Sequence, residues 1–182
     1  RNRLKLNDSK TEFIVLGTAS LLKKVQTTGI NIGEERITAV TSVWNIGTHM
    51  DSELKMDAHI KNVCKTAWFH LYRIGKIRQY LTTEQTKSVI HAYVTSRLDM
   101  NNSLLVVVPK VQIAKLQRIQ NAAARLITGA KSADHVTPIL KSLHWLPVHL
   151  RIRFKLLLIT YKVLNGTGPT YLSDLLVPYE PG

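Results

Sequence analysis

Lys61, Lys65, Phe69, Tyr72 and Lys76 recur at helical intervals, the spacing that sets side chains on one face of an α-helix. At 100° per residue they fall within a sector of about 80°, bordered by Trp68 and Arg73. Ammonium groups alternating with rings can do two things to a polynucleotide: neutralise its phosphates and stack its bases. Arg78 extends the run, and Lys115, Arg118 and Arg125 form a second cationic row on a later amphipathic stretch. Together with Arg73, these are the candidate nucleic-acid-binding residues. A solvated face whose aromatics pack against a neighbouring domain is the other reading of the same pattern.

Bond-making chemistry finds no comparable set. Phosphoryl transfer needs carboxylates that hold two metal ions, usually as adjacent aspartates on a strand-turn-strand. The sequence has one adjacent acidic pair, Glu34 and Glu35, on an expected hairpin turn where exposed charge is ordinary. Asp51, Glu53 and Asp57 cluster, but their spacing suits no single strand face, and Asp57 fits the electrostatics of a helix N-terminus. His135, His144 and His149 come without nearby cysteines or a helical i, i+4 pair, so zinc has no ligand set. No catalytic residue, metal ligand or cofactor is therefore assigned to this chain.

The distribution of charge is more telling than its size. Residues 1–54 carry 7 Lys/Arg against 6 Asp/Glu, whereas residues 55–182 carry 18 against 6, so nearly all of the +13 net charge lies in the second part. Such asymmetry points to a polyanionic partner, with nucleic acid ahead of an acidic membrane surface. A membrane span is not expected: Lys155 and Lys162 flank the longest candidate, residues 156–161, far short of the roughly 20 apolar residues required. The opening RNRLKLNDSK has neither an initiator Met nor an apolar signal core, and is expected to begin within a domain. A single cysteine, Cys64, fits a reducing compartment and a structural thiol. The expected location is intracellular, in the nucleus and/or cytoplasm.

The expected fold is α+β and mainly α, with a small antiparallel β segment over residues 1–54 and a basic helical bundle over residues 55–182. Strands are expected at 11–16, 29–33, 36–40 and 43–47, with Gly33, Glu34 and Glu35 closing a hairpin. Period-2 alternation gives way to helical patterning near Lys55. The first long helix, 56–80, sets Ile60, Val63, Cys64, Ala67, Leu71 and Ile74 in one apolar stripe. Thr83 and Glu84 open a second, to about residue 105, with Val89, Ala92, Tyr93 and Ser96 toward the core. Pro109 breaks the chain. The third, 110–128, opposes Ile113, Leu116, Ile119, Ala123, Leu126 and Ile127 to its cations, and Gly129 stops it. Asp134 or Thr137 caps a short helix at 138–143, and a turn through His144 and Pro147 pins the Trp145 indole against the core. The last helix, 148–164, is apolar most of the way round, the pattern of a helix at the centre of a bundle.

Three segments carry a further likeness. LQRIQNAAARLITGAKSADHVTPILKSLHWLP (116–147), HAYVTSRLDMNNSLL (91–105) and RIRFKLLLITYKVLNGTGPTYLSDLL (151–176) closely resemble the region after the catalytic palm in non-LTR (LINE-type) retrotransposon reverse transcriptases of the Jockey-like branch. The resemblance covers nearly the whole chain. It implies that LKLNDSKTEFIVLG (4–17) ends the palm, and that SVWNIGTHMDSELKMDAHI (42–60) links into the thumb, which grips the primer-template duplex. Lys10 matches a palm lysine and by that likeness lies near the incoming nucleotide's phosphates. The helical cations become backbone contacts that carry affinity without base specificity. By the same likeness the catalytic aspartates and their Mg belong to polypeptide preceding Arg1, and this chain alone lacks activity. Its implied partners are RNA or an RNA/DNA hybrid and the fingers-palm and endonuclease portions of the parent polypeptide. The chain differs from the family's usual residues at Trp44, Met100, Asn101 and the three valines from Val106.

Two functions stand open. One is a fragment of an RNA-directed DNA polymerase that binds nucleic acid through a basic helical thumb. The other is a stand-alone basic helical adaptor whose apolar helix faces serve protein assembly.

Overall fold

Short strands followed by long helices make the fold α+β and mainly α, in a computed structural model that describes Asn7 and residues 10–33 and 35–177. Glu34, expected in the hairpin turn beside Glu35, lies outside the described residues. Two compact units divide between Asn62 and Val63. That division falls inside a helix, whereas the expected change at residues 54–55 falls between the last strand and that helix.

In the first unit, among the described residues, five strands form two sheets: β1 (Phe13–Ile14), β2 (Gly29–Ile32), β3 (Glu35–Val40), β4 (Ser42–Asn45) and β5 (Thr48–Asp51). A four-residue helix, α1 (Ala19–Leu22), is capped by the Thr18 hydroxyl accepting from the Leu21 N–H. β2 and β3 pair antiparallel, Ile32 opposite Glu35, and Gly33 after β2 has φ 60°. β1 joins β3 in parallel, Phe13 opposite Ala39, so the three-stranded sheet is mixed and not purely antiparallel as expected. β5 is a strand where the sequence promised only a polar hand-over. It pairs antiparallel with β4 through Ile46 and Gly47, both at positive φ (44° and 77°), the twist that favours tight hairpins. Isoleucine is a poor residue for such a turn, which is why the hairpin does not announce itself in the sequence.

The helices begin with α2 (Asp57–Ile77), which contains the division between units and is extended by a 3₁₀ turn at Arg78–Tyr80. Ile60, Ala67, Leu71 and Ile74 are buried and Val63 and Cys64 half-buried, the stripe that the spacing predicts. α3 (Thr83–Ile90) starts at a capping box, the Thr82 hydroxyl accepting from the Gln85 N–H while the Gln85 side chain accepts from the Thr82 N–H. A π turn (His91–Thr95) separates it from α4 (Ser96–Asp99). The expected single helix to residue 105 is therefore interrupted, and Asn101 at φ 52° leads into a 3₁₀ segment, Asn102–Val107. The buried residues here are Thr86, Ile90, Val94, Thr95 and Leu98; Ala92, Tyr93 and Ser96 are exposed, against expectation. A strict four-residue spacing drifts around a regular α-helix by about 40° per step, and the wider π turn absorbs that drift.

α5 (Lys110–Thr128) begins after Pro109 and stops where Gly129, at φ 73°, donates its N–H to the Arg125 carbonyl. α6 (Val136–Ser142) begins two residues earlier than expected, and neither Asp134 nor Thr137 caps it; the Asp134 carboxylate instead accepts the Lys131 N–H at 2.7 Å. Its end is a Schellman turn with a histidine in the glycine position: His144 has φ 55°, and Trp145 donates to the Leu140 carbonyl at 2.8 Å. The Trp145 side chain is half-buried, so the turn holds its indole against the core on one side only.

α7 (Val148–Leu164) follows Pro147 and ends in a second Schellman turn at Gly166, where the Thr167 N–H reaches the Lys162 carbonyl. Two glutamines of α5 hold its start. Gln117 Oε1 accepts the Val148 N–H at 2.8 Å, one of the donors that a helix N-terminus leaves unpaired, and Gln120 Nε2 donates to the Leu146 carbonyl at 2.8 Å. The pair is itself joined, Gln117 Nε2 donating to Gln120 Oε1. Gln120 is only 1% exposed, a buried polar residue on a face that the hydrophobic pattern reads as purely apolar.

Replacing Gln120 by Leu keeps the volume but strands the Leu146 carbonyl. The expected cost is about 1–3 kcal/mol, read as a lower urea midpoint at unchanged slope.

Candidate nucleic-acid interface

The approach to α2 is built by Asp51. Its carboxylate accepts the backbone N–H groups of Glu53 at 3.2 Å, Lys55 at 2.9 Å and Met56 at 2.7 Å, while Leu54 and Met56 adopt positive φ of 53° and 60°. This side chain thus serves the backbone. Glu53 pairs with the Lys55 ammonium at 2.8 Å. Among the described residues no group of three or more His, Cys, Asp or Glu could hold a metal ion.

Along α2, Lys61, Lys65, Phe69, Tyr72, Arg73 and Lys76 are all exposed, the rings to 51% for Phe69 and 65% for Tyr72. The helical spacing seats a cation on each ring. The Arg73 guanidinium lies over the Phe69 ring at 5.1 Å, and the Lys76 ammonium over Tyr72 at 4.6 Å. Neither cation has a carboxylate partner among the described residues. The arrangement presents fixed positive charge and a π-face together, the two contacts that a nucleotide strand offers in return.

Two arginines of the expected set do different work. Arg78 is half-buried, and its guanidinium donates to three carbonyls: Leu126 at 3.0 Å, Ile127 at 3.0 Å and Leu81 at 2.8 Å. Leu126 and Ile127 lie in the last turn of α5, whose carbonyls lack partners within the helix and carry the negative end of its dipole. Arg78 is a structural clamp. Arg125 is also half-buried and donates to the Asp134 carbonyl at 3.0 Å, tying the chain after α5 back to it. A count of charges along a sequence cannot distinguish these from free cations, because the acceptors are carbonyls remote in sequence.

Lys115 and Arg118 remain exposed on α5. Lys115 comes alongside α2, close enough to act on the Cys64 thiol; burial pushes that thiol up and the ammonium pulls it partly back. A Cβ on Gly75 would stand 4.0 Å from Leu126, and Arg78 reaches Ile127. The sequence order of these partners matches on both helices, so α2 and α5 run side by side in the same direction. Lys10 is exposed just before β1, its N–H donating to the Asn7 carbonyl at 3.1 Å.

Arg97 is an exposed cation that the sequence pattern does not single out. It stands near His70, whose ring lies 5.2 Å from that of Tyr93. Burial first, then the Arg97 and Arg73 charges, hold His70 below the usual imidazole range. The signal was masked by the π turn, which moves Arg97 and Tyr93 off the positions a regular helix would give them. His59, buried in the first unit, is also lowered, chiefly by burial and then by the His49 charge, and its Nδ1 has no hydrogen-bond partner among the described residues.

No protein-family model, curated protein or solved structure matches the chain. No helix among the described residues is long and apolar enough to cross a membrane.

Arg78→Ala is expected to lower stability by about 2 kcal/mol or more, since three charge-assisted bonds are lost, two of them at the end of α5. Its binding to nucleic acid at temperatures where it stays folded is expected to be unchanged, as fluorescence anisotropy would read. For the imidazoles the folded chain resists protonation more than the unfolded chain does. Stability is therefore full above the ordinary value of 6.5 and declines as pH falls below it. Melting temperatures between about pH 7 and 5 should show that decline, and His59→Gln should shrink it without abolishing it, His70 still contributing.

Proposed function

We propose that this chain is the palm-end and thumb region of a non-LTR retrotransposon RNA-directed DNA polymerase, holding RNA or an RNA/DNA hybrid by its phosphates. The likeness of residues 91–105, 116–147 and 151–176 to that family supports the polymerase reading. The single observation that carries the grip is the exposed α2 face, where Arg73 and Lys76 stand over the open rings of Phe69 and Tyr72 with no carboxylate partner among the described residues. Lys61 and Lys65 continue that face, and Lys115 stands beside it. Their contacts are to backbone, so affinity depends on charge and A-form or single-strand shape and little on sequence.

On this reading residues 1–54 close the palm and residues 55–182 form the thumb and its connection. Lys10 borders the incoming nucleotide's phosphates. The carboxylates and Mg that perform transfer lie in the fingers-palm portion of the parent polypeptide, and this chain positions the duplex for them.

Salt titration against an RNA/DNA hybrid tests the reading. Contact with about six phosphates gives log K falling against log salt with a slope of roughly −4 to −5. The combined change Lys61→Glu, Lys65→Glu and Lys76→Glu should weaken binding more than tenfold for every sequence tried and flatten the slope by about three units. A slope near zero in the parent chain, or unchanged affinity in the variant, would refute the α2 grip and favour the adaptor.

A further inference from the structure

α7 has two apolar faces. Val148, Ile152 and Val163 are buried on one. At 100° per residue, Leu150, Phe154, Leu157, Tyr161 and Leu164 gather within about 80° on the opposite side. All five are exposed, Leu157 to 67% and Leu164 to 68%. The sequence therefore misleads about this helix: it is apolar most of the way round, yet half of that surface faces outward instead of lying at the bundle's centre. The five residues step by four, three, four and three, the spacing of a coiled-coil seam, over about 21 Å of helix. Tyr171 and Leu175, in the 3₁₀ segment Thr170–Leu175 that packs on α7, are exposed as well.

The borders of the seam say what covers it. Arg153 flanks one side; Arg151, Lys155 and Lys162 stand beyond the other; and α7 contains no Asp or Glu. Arg151 is engaged by Asp99 at 3.0 Å, while Arg153 and Lys162 are exposed with no ion pair among the described residues. A second copy of the same helix has no carboxylate to offer Arg153, only further cations. A helix with leucines on one face and carboxylates beside them meets both demands, apolar residues filling the seam and an acid pairing with Arg153, the flanking cation that Asp99 does not engage.

We infer that α7 docks an acidic amphipathic helix from a protein partner, in coiled-coil register, on the Leu150–Leu164 seam. This is a protein-binding surface separate from the α2 face and independent of the nucleic-acid reading.

The test uses the full chain and a labelled 21-residue peptide with leucine at the a and d positions and glutamate at e and g, beside a matched peptide with lysine at e and g. The acidic peptide should bind at least tenfold more tightly by anisotropy. Leu157→Ser combined with Tyr161→Ser should lower that affinity tenfold or more while RNA/DNA binding and the circular dichroism spectrum hold. Arg153→Glu, a surface change that spares the apolar seam, should abolish the preference for the acidic peptide. Lys65→Glu with Lys76→Glu should leave peptide affinity unchanged even if it abolishes nucleic-acid binding. Four results would overturn the inference: equal affinity for both peptides; loss of peptide binding on the α2 change; self-association of the chain that Leu157→Ser with Tyr161→Ser abolishes, marking a second copy as the occupant; or displacement of the peptide by phosphatidylserine vesicles, marking a membrane surface.

Discussion

The guanidinium of Arg78 at the end of α5 is the constraint on which the helical unit depends. A helix terminus turned toward protein instead of water must have its last carbonyls satisfied, and here two of them meet one planar cation from the turn that follows α2. That joint fixes where α2 ends relative to α5. With Lys115 beside Cys64 as well, the two rods lie alongside each other, and the apolar stripe of α2 faces inward. Exposure of Lys65, Phe69, Tyr72 and Lys76 is then a consequence of geometry, because they occupy the far side of the same helix.

α5 has a second set of obligations at its other face. Gln117 and Gln120 hold the turn that launches α7, so a helix whose N-terminus follows a proline receives its missing acceptor from a neighbour. A clamp at one end and a staple in the middle give α5 polar partners on two sides and a packed apolar row between them, Leu116, Ile119, Ala123 and Ile127. Ala124 is buried beside these, consistent with close approach of another helix. The polar bonds set direction and register; burial of the apolar row supplies most of the favourable free energy.

Much of this was legible from local chemistry. Pro109, Gly129, Pro147 and Gly166 bound α5 and α7 where helix signals say they should, and the α2 stripe follows from 3.6-residue spacing. Features set by remote partners were not legible. β5 exists because β4 lies beside it, not because Thr48, His49, Met50 and Asp51 prefer a strand. β1 is parallel to β3 through a pairing that no turn announces. The π turn at His91–Thr95 answers a packing mismatch, and it displaced the predicted core face. The candidate site was half legible for the same reason: the α2 cations are local, whereas the fates of Arg78 and Arg125 are decided by carbonyls that become neighbours only on folding.

Seating a cation over a ring has a thermodynamic side. A free lysine or arginine side chain holds about 2 kcal/mol of rotamer entropy, most of it forfeited when a phosphate captures the head group. Arg73 and Lys76 have already surrendered part of that freedom to Phe69 and Tyr72 before any ligand arrives. A polyanion captured there would have less disorder left to remove, and the cost of that readiness is carried at rest as two aromatic rings left partly in water.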